Sequence, residues 1–317
     1  MDEYIKNDEE KKLKEYLESE DLEHTSNKLL TKFDTLVTDQ QVIIICIVTG
    51  VVGLLLFKSA FKDGNYTCEN FVMNVYIYVL MGLLLMALTT VTILRSYKEE
   101  NLYSVFNNLS KTMLIVYLVG IFILFMILIS TLHYFEYNIM ASHLVWLLLI
   151  MVFGIICLPL YVSLKANNLF MKTVLSTIVV VAIITLVVIY QKDLLNEYLT
   201  DNVTNLVFMI LIIVLFAKII TYYVYGFDIK ELKDIRVYFA YGLVVIFTYF
   251  MLVDTRNILN ITKETCENAL QNCVNNKELQ LTTLCESYPS YPLKSFDIFF
   301  NIFQLFQQLA TIYSEGQ

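Results

Sequence analysis

Seven stretches of this 317-residue chain, 41–57, 72–94, 112–132, 144–164, 173–190, 203–224 and 237–253, are long, apolar and almost free of charge. Each is near the roughly 20 residues that a helix needs to cross a bilayer core about 30 Å thick. Many are rich in Ile and Val, which in water would favour strands. In lipid, however, every backbone N–H and C=O must be bonded within its own segment or around a closed barrel. Barrel strands run to about 10 residues and alternate in polarity; these runs do neither. An eighth run, 295–313, is apolar on only part of its circumference. The expected fold is all-α: a polytopic transmembrane bundle of seven or eight membrane helices filling 41–313.

Composition leads to the same solvent. Hydrophobic residues make up 57% of the chain and charged ones 16%, against about 25% charged in a soluble domain. Abundant Ile, Asn, Tyr, Phe and Lys suggest an AT-rich genome, such as those of some protists and large DNA viruses.

The charges that remain are unevenly placed. Residues 1–40 form an acidic arm with six Lys and twelve Asp or Glu, which is −6 of the chain's net −8. Such an arm excludes nucleic acid as a partner and disfavours an anionic lipid surface. No short basic segment precedes an apolar stretch at the N-terminus, so the first apolar run is expected to act as the internal insertion signal. With the N-terminus inside, the inside connections hold 14 Lys or Arg and the outside ones 7. When only Lys28 and Lys32 are counted from the arm, the margin is 10 to 7. The positive-inside rule thus favours an inside N-terminus.

That orientation puts Cys68, Cys266, Cys273 and Cys285 in outside connections, the last three in an extramembrane loop at 254–294. Four cysteines on an oxidising face can form two disulfides in three connectivities, and in a reducing compartment they would be free thiols. Cys46 and Cys157 fall within membrane helices and read as packing residues. Asn65, Asn202 and Asn260 begin N-x-Thr sequons on the same side, a weak signal in an Asn-rich chain.

The last run carries the most chemistry. Asp297, Asn301, Gln304 and Gln308 fall at i, i+4, i+7 and i+11, one stripe on a helix otherwise covered by Phe, Ile and Leu. Such a stripe is costly against lipid and should face protein, water or the interface. One reading is a helix lining a hydrated path, with Asp297 as an ion or proton ligand. Another has Ser295 capping the helix, Asp297 complementing its dipole and the amides bonding neighbouring helices. A third lays the helix flat in the interface, though its polar face lacks Lys and Arg. Asp254, followed by Arg256, ends the seventh run, and Lys218 near the end of the sixth can snorkel to the inner interface.

No HExxH, GxSxG, P-loop or GxGxxG occurs. The three histidines, His24, His133 and His143, have no partner at ligand spacing, and the loop cysteines lack the tight pairs of a zinc site. No enzyme, cofactor or metal site is therefore expected.

Two segments bring a known family to mind on their residues. Asp254-Thr255-Arg256-Asn257-Ile258 resembles the Asp-Thr-Gln-x-Ile segment of the Bax inhibitor-1 family. Asp297-Ile298-Phe299-Phe300-Asn301-Ile302-Phe303 resembles that family's Asp-Ile-x-Asn-Leu-Phe helix with one residue more. The run FVMNVYIYVLMGLLLMALTTV is similar to its opening helix. The resemblance implies that runs two to eight are the family's seven helices, with the first helix and the arm as an addition. It also implies a pH-sensitive calcium leak sensed by an aspartate pair, here Asp254 and Asp297, on the cytoplasmic side, whereas the charge count puts that end outside.

Two functions follow as expectations. One is a cation (calcium) leak sensed by Asp254 and Asp297. The other is a structural membrane protein that anchors protein partners through the 1–40 arm or the 254–294 loop. Either would sit in the lipid bilayer of an endoplasmic reticulum-like, organellar or virion membrane.

Overall fold

A computed structural model describes residues 39–62, 64–96, 111–225, 232–274 and 285–315. Nearly all of the 1–40 arm lies outside the described residues. Eight long helices are present: α1 (Asp39–Ala60), α2 (Phe71–Ser96), α3 (Lys111–Tyr134), α4 (Ile139–Ala166), α5 (Phe170–Tyr190), α7 (Asp201–Tyr225), α8 (Leu232–Asn260) and α10 (Tyr291–Glu315). Two short ones, α6 (Lys192–Tyr198) and α9 (Lys263–Asn272), lie in connections. A two-residue hairpin, β1 (Phe61–Lys62) with β2 (Asn65–Tyr66), follows α1. At 1.5 Å per residue, even the 21-residue α5 is roughly 31 Å long, enough to cross a bilayer core.

Six helices are long and apolar enough to cross a membrane, and the described end of α3, Ile123–Tyr134, is a shorter apolar helix. Apolar side chains face outward: Leu54, Phe57, Ile213, Phe216 and Ile219 are each more than half exposed. A surface so apolar would aggregate in water and is at home in lipid. The chain is an integral, multi-pass membrane protein of all-α architecture.

A long helix outside the set of apolar spans sits at the centre. α10 packs against α8 most extensively, and also against α2, α5 and α4. Its Ile298, Leu305 and Ala310 are fully buried. An aromatic cluster locks it to α4, with Phe153 against Phe303 at 4.8 Å and against Phe299 at 5.4 Å between ring centroids. Opposite, α2 approaches α4 where Gly154 removes a side chain, and Thr90 Oγ1 donates to the Gly154 carbonyl at 2.8 Å. Small residues and hydroxyls join membrane helices in this way, because lipid offers no hydrophobic drive between them.

The connections gather at two ends. One end holds the hairpin, the 135–138 turn, α6 and α9, joined by contacts such as Lys192 Nζ to the Leu259 carbonyl at 3.2 Å. It is also tied by two disulfides, Cys68–Cys266 and Cys273–Cys285. At the far end Arg236 pairs with Glu315 at 3.2 Å. Cys157 is a buried packing residue, but Cys46 is exposed on α1 and fills no core position.

Three elements depart from the sequence reading. α8 continues past Asp254 to Asn260, and α10 begins at Tyr291, so the connection is 261–290 rather than 254–294. Within it α9 forms because Thr262 and Thr265 make a reciprocal capping box. Ser295 is not a cap: it lies inside α10, its hydroxyl donating to the Pro292 carbonyl at 3.1 Å.

Candidate functional site

The early start of α10 changes what Asp297 can be doing. As the seventh residue of the helix it lies beyond the first turn, where the macrodipole rewards a carboxylate. It projects into a cavity of about 460 Å³ that it shares with Asp254 from α8. Asn301, one turn further along α10, donates from Nδ2 to Asp254 Oδ2 at 2.6 Å. A charge-assisted contact of this kind fixes the α8–α10 register at the site. Asp254 and Asp297 are close enough to interact electrostatically, and coupled carboxylates take up their protons in two separate steps that belong to the pair rather than to either residue.

Other charged groups surround the pair. Lys294, one turn before Asp297, acts on both carboxylates, with no ion-pair contact to either among the described residues. Asp201 from the first turn of α7 and Glu286 from the 285–287 helical turn line the same cavity. Arg256 also lines the cavity, its guanidinium donating to the Leu199 carbonyl and, at 2.8 Å, to Asn257 Oδ1. Glu136, in the turn between α3 and α4, completes the set. Burial holds its carboxyl above the usual range, Lys294 opposes that shift, and Asp297 adds to it.

The rest of the stripe runs through the bundle interior. Asn301 and Gln308 are 4% and 3% exposed and Gln304 is half-buried. Gln308 Oε1 is buried without a hydrogen-bond partner among the described residues. Seven residues on, Glu315 ends the line at its ion pair with Arg236. Lys218 is near both, which places it at the far end of the bundle and away from the aspartates.

Sequence reading thus named Asp254, Asp297, Asn301, Gln304 and Gln308, and the structure brings the first three together at one end of a line that the two glutamines continue. It missed Lys294, Glu136, Asp201 and Glu286. Lys294 could have been found, since it lies three residues before Asp297 and on the same face. Glu136 gave no signal, because nothing in a turn sequence tells which helix it will meet.

A family model described as inhibitor of apoptosis-promoting Bax1 matches residues 68–317. The match takes in α2 to α10 and leaves out α1. No curated protein and no solved structure matches the chain.

Proposed function

The chain belongs to the Bax inhibitor-1 family, and from the site just described we propose that it is a pH-sensitive cation leak. The observation that carries this reading is the juxtaposition of Asp254 and Asp297 in one cavity, with Asn301 bonded to Asp254, at the head of an interior polar stripe. Calcium is the proposed cargo. Two carboxylates that share protons offer a cation full charge when both are ionised and less when a proton is held between them, so passage follows pH. The activity is passive movement with no chemical step. In this reading Lys294 tempers the pair's negative charge, while Glu136, Asp201 and Glu286 keep the surrounding field attractive to cations. The N-terminus lies inside and the aspartate end faces an oxidising compartment, as the charge bias and the four cysteines at that end favour.

The test is flux from liposomes loaded with a calcium-sensitive dye, compared between the wild type and Asp297→Asn over a range of pH. Loss or displacement of the pH dependence is expected, and identical flux at every pH would remove the aspartates from the mechanism. The rival, a structural protein anchoring partners, draws on α1, which lies outside the matched residues and packs mainly on α2. It expects purified protein to pass no ions at all.

A further inference from the structure

The aspartate cavity is lined by two unlike sets of residues. One comes from membrane helices and includes the exposed Asp201 of α7 and Asn257 of α8. The other includes Glu286 and Ser287, which belong to no membrane helix and form a rim on the cavity. These two residues follow Cys285 directly. That cysteine is 2% exposed and bonded to Cys273 at the end of α9. The start of α9 is in turn held by Cys266, fully buried and bonded to Cys68 beside α2. Two covalent links in series therefore tie this rim to the body of the bundle.

A second, independent set of contacts fixes the same stretch. Tyr288, 2% exposed, packs against Tyr137 of the α3–α4 turn at 4.9 Å and against Tyr66 of the hairpin at 6.1 Å. Pro289 and Ser290 beyond it are buried. Connections on a membrane protein's aqueous face are usually its most mobile parts. A stretch pinned by two disulfides and an aromatic clamp, and lining a charged cavity, is built to stay where it is.

We propose that residues 285–290, stapled through Cys285 to the end of α9, form a lid that narrows entry to the Asp254–Asp297 cavity, so that release of the Cys273–Cys285 staple admits water-soluble reagents and ions that the oxidised chain holds back. The proposal rests on the reading of that cavity as an ion site, but the cover can be tested apart from the leak. The disulfide sulfurs are buried, so the lid is a standing restriction, set when the chain is oxidised.

The experiment compares the full-length wild type with the Cys273→Ser/Cys285→Ser variant in liposomes. A water-soluble carbodiimide and a small amine modify reachable carboxyl groups, which are then quantified by peptide mass spectrometry. Calcium flux is measured on the same vesicles. Glu315, at the far end of the bundle, is the internal control. A several-fold rise in modification of Asp254 and Asp297, with Glu315 unchanged, is expected and establishes the lid. If flux rises in parallel, the leak stands with it; if modification rises and flux does not, the lid stands and the leak reading falls. Unchanged modification of both aspartates overturns the lid, and so does a rise matched at Glu315, which would mean general loosening. Should the variant fail to accumulate, the single variant Cys285→Ser, which also removes the staple, is compared with the wild type in the same way, with the same outcomes.

Discussion

Replacing Gly154 by Ala should destabilise the bundle, although alanine is the better helix former. A Cβ built at this position would sit 2.7 Å from Thr89 Cβ and 3.0 Å from both the Met86 carbonyl oxygen and Thr89 Cγ2. One of these neighbours is backbone and another is a Cβ fixed to it, so no side-chain rotation relieves the contact and α2 must move away from α4. Overpacking of this sort costs about 1–3 kcal/mol. The same movement stretches the 2.8 Å bond from Thr90 Oγ1 to the Gly154 carbonyl, and an interhelical hydrogen bond in a membrane protein contributes about 0.6 kcal/mol. Against this stands the alanine's helix propensity, at most about 1 kcal/mol. The net expectation is a loss of roughly 0.6–2.6 kcal/mol. Gly242→Ala is the matched control, because its added Cβ meets nothing within 4 Å, and it should be neutral or slightly stabilising. Thermal unfolding of the two variants in the same detergent, followed by circular dichroism, measures the difference. If Gly154→Ala melts at or above Gly242→Ala, the close α2–α4 approach does not exist and the packing argument fails.

Removing the long-range staple with Cys68→Ser/Cys266→Ser should cost about 2–4 kcal/mol, because the bond closes a loop of nearly two hundred residues in the unfolded chain; denaturant unfolding that leaves the midpoint unmoved would show that the bond does not form. Glu136→Gln should flatten the pH dependence of stability. Burial makes the folded chain hold the Glu136 proton to higher pH than the unfolded chain does, so the folded state binds more protons across that window and wild-type stability falls as pH rises through it. Melting curves of wild type and variant should coincide below the ordinary carboxylate range and separate above it, with the variant more stable; curves that stay parallel throughout refute this.

Much of the fold was legible because lipid leaves a chain few options. A run such as 203–224 can satisfy its backbone only as a helix, whatever the strand preference of its Ile and Val. The polar stripe was legible for a related reason: Asp297, Asn301, Gln304 and Gln308 repeat at helical spacing, and lipid would reject that face. The connections were not, since water satisfies backbone groups anywhere. The Thr262–Thr265 capping box that starts α9 and the hairpin closing at Tyr66 are decided by local bonds too short-ranged to show as periodicity. The end of α8 was misplaced for the opposite reason. Thr255 to Asn260 read as polar loop, yet Thr255 and Ile258 are buried against the bundle and carry the helix on past Asp254.

The contrast between α7 and α10 shows where in the bundle the candidate site can lie. The apolar span of α7 has none of its best window buried inside the protein, so it is greasy because it faces lipid. α10 falls outside the set of apolar spans, yet Asn301 and Gln308 are almost fully enclosed within the bundle. A helix surrounded by protein is released from the demand that all its faces be apolar, and only there can a carboxylate and three amides be kept at membrane depth without meeting lipid. α7 is therefore insulation, while α4, equally apolar, is half buried and packs directly on α10. Asp254 follows the same logic as the α10 stripe, since it sits on the face of α8 turned to Asn301.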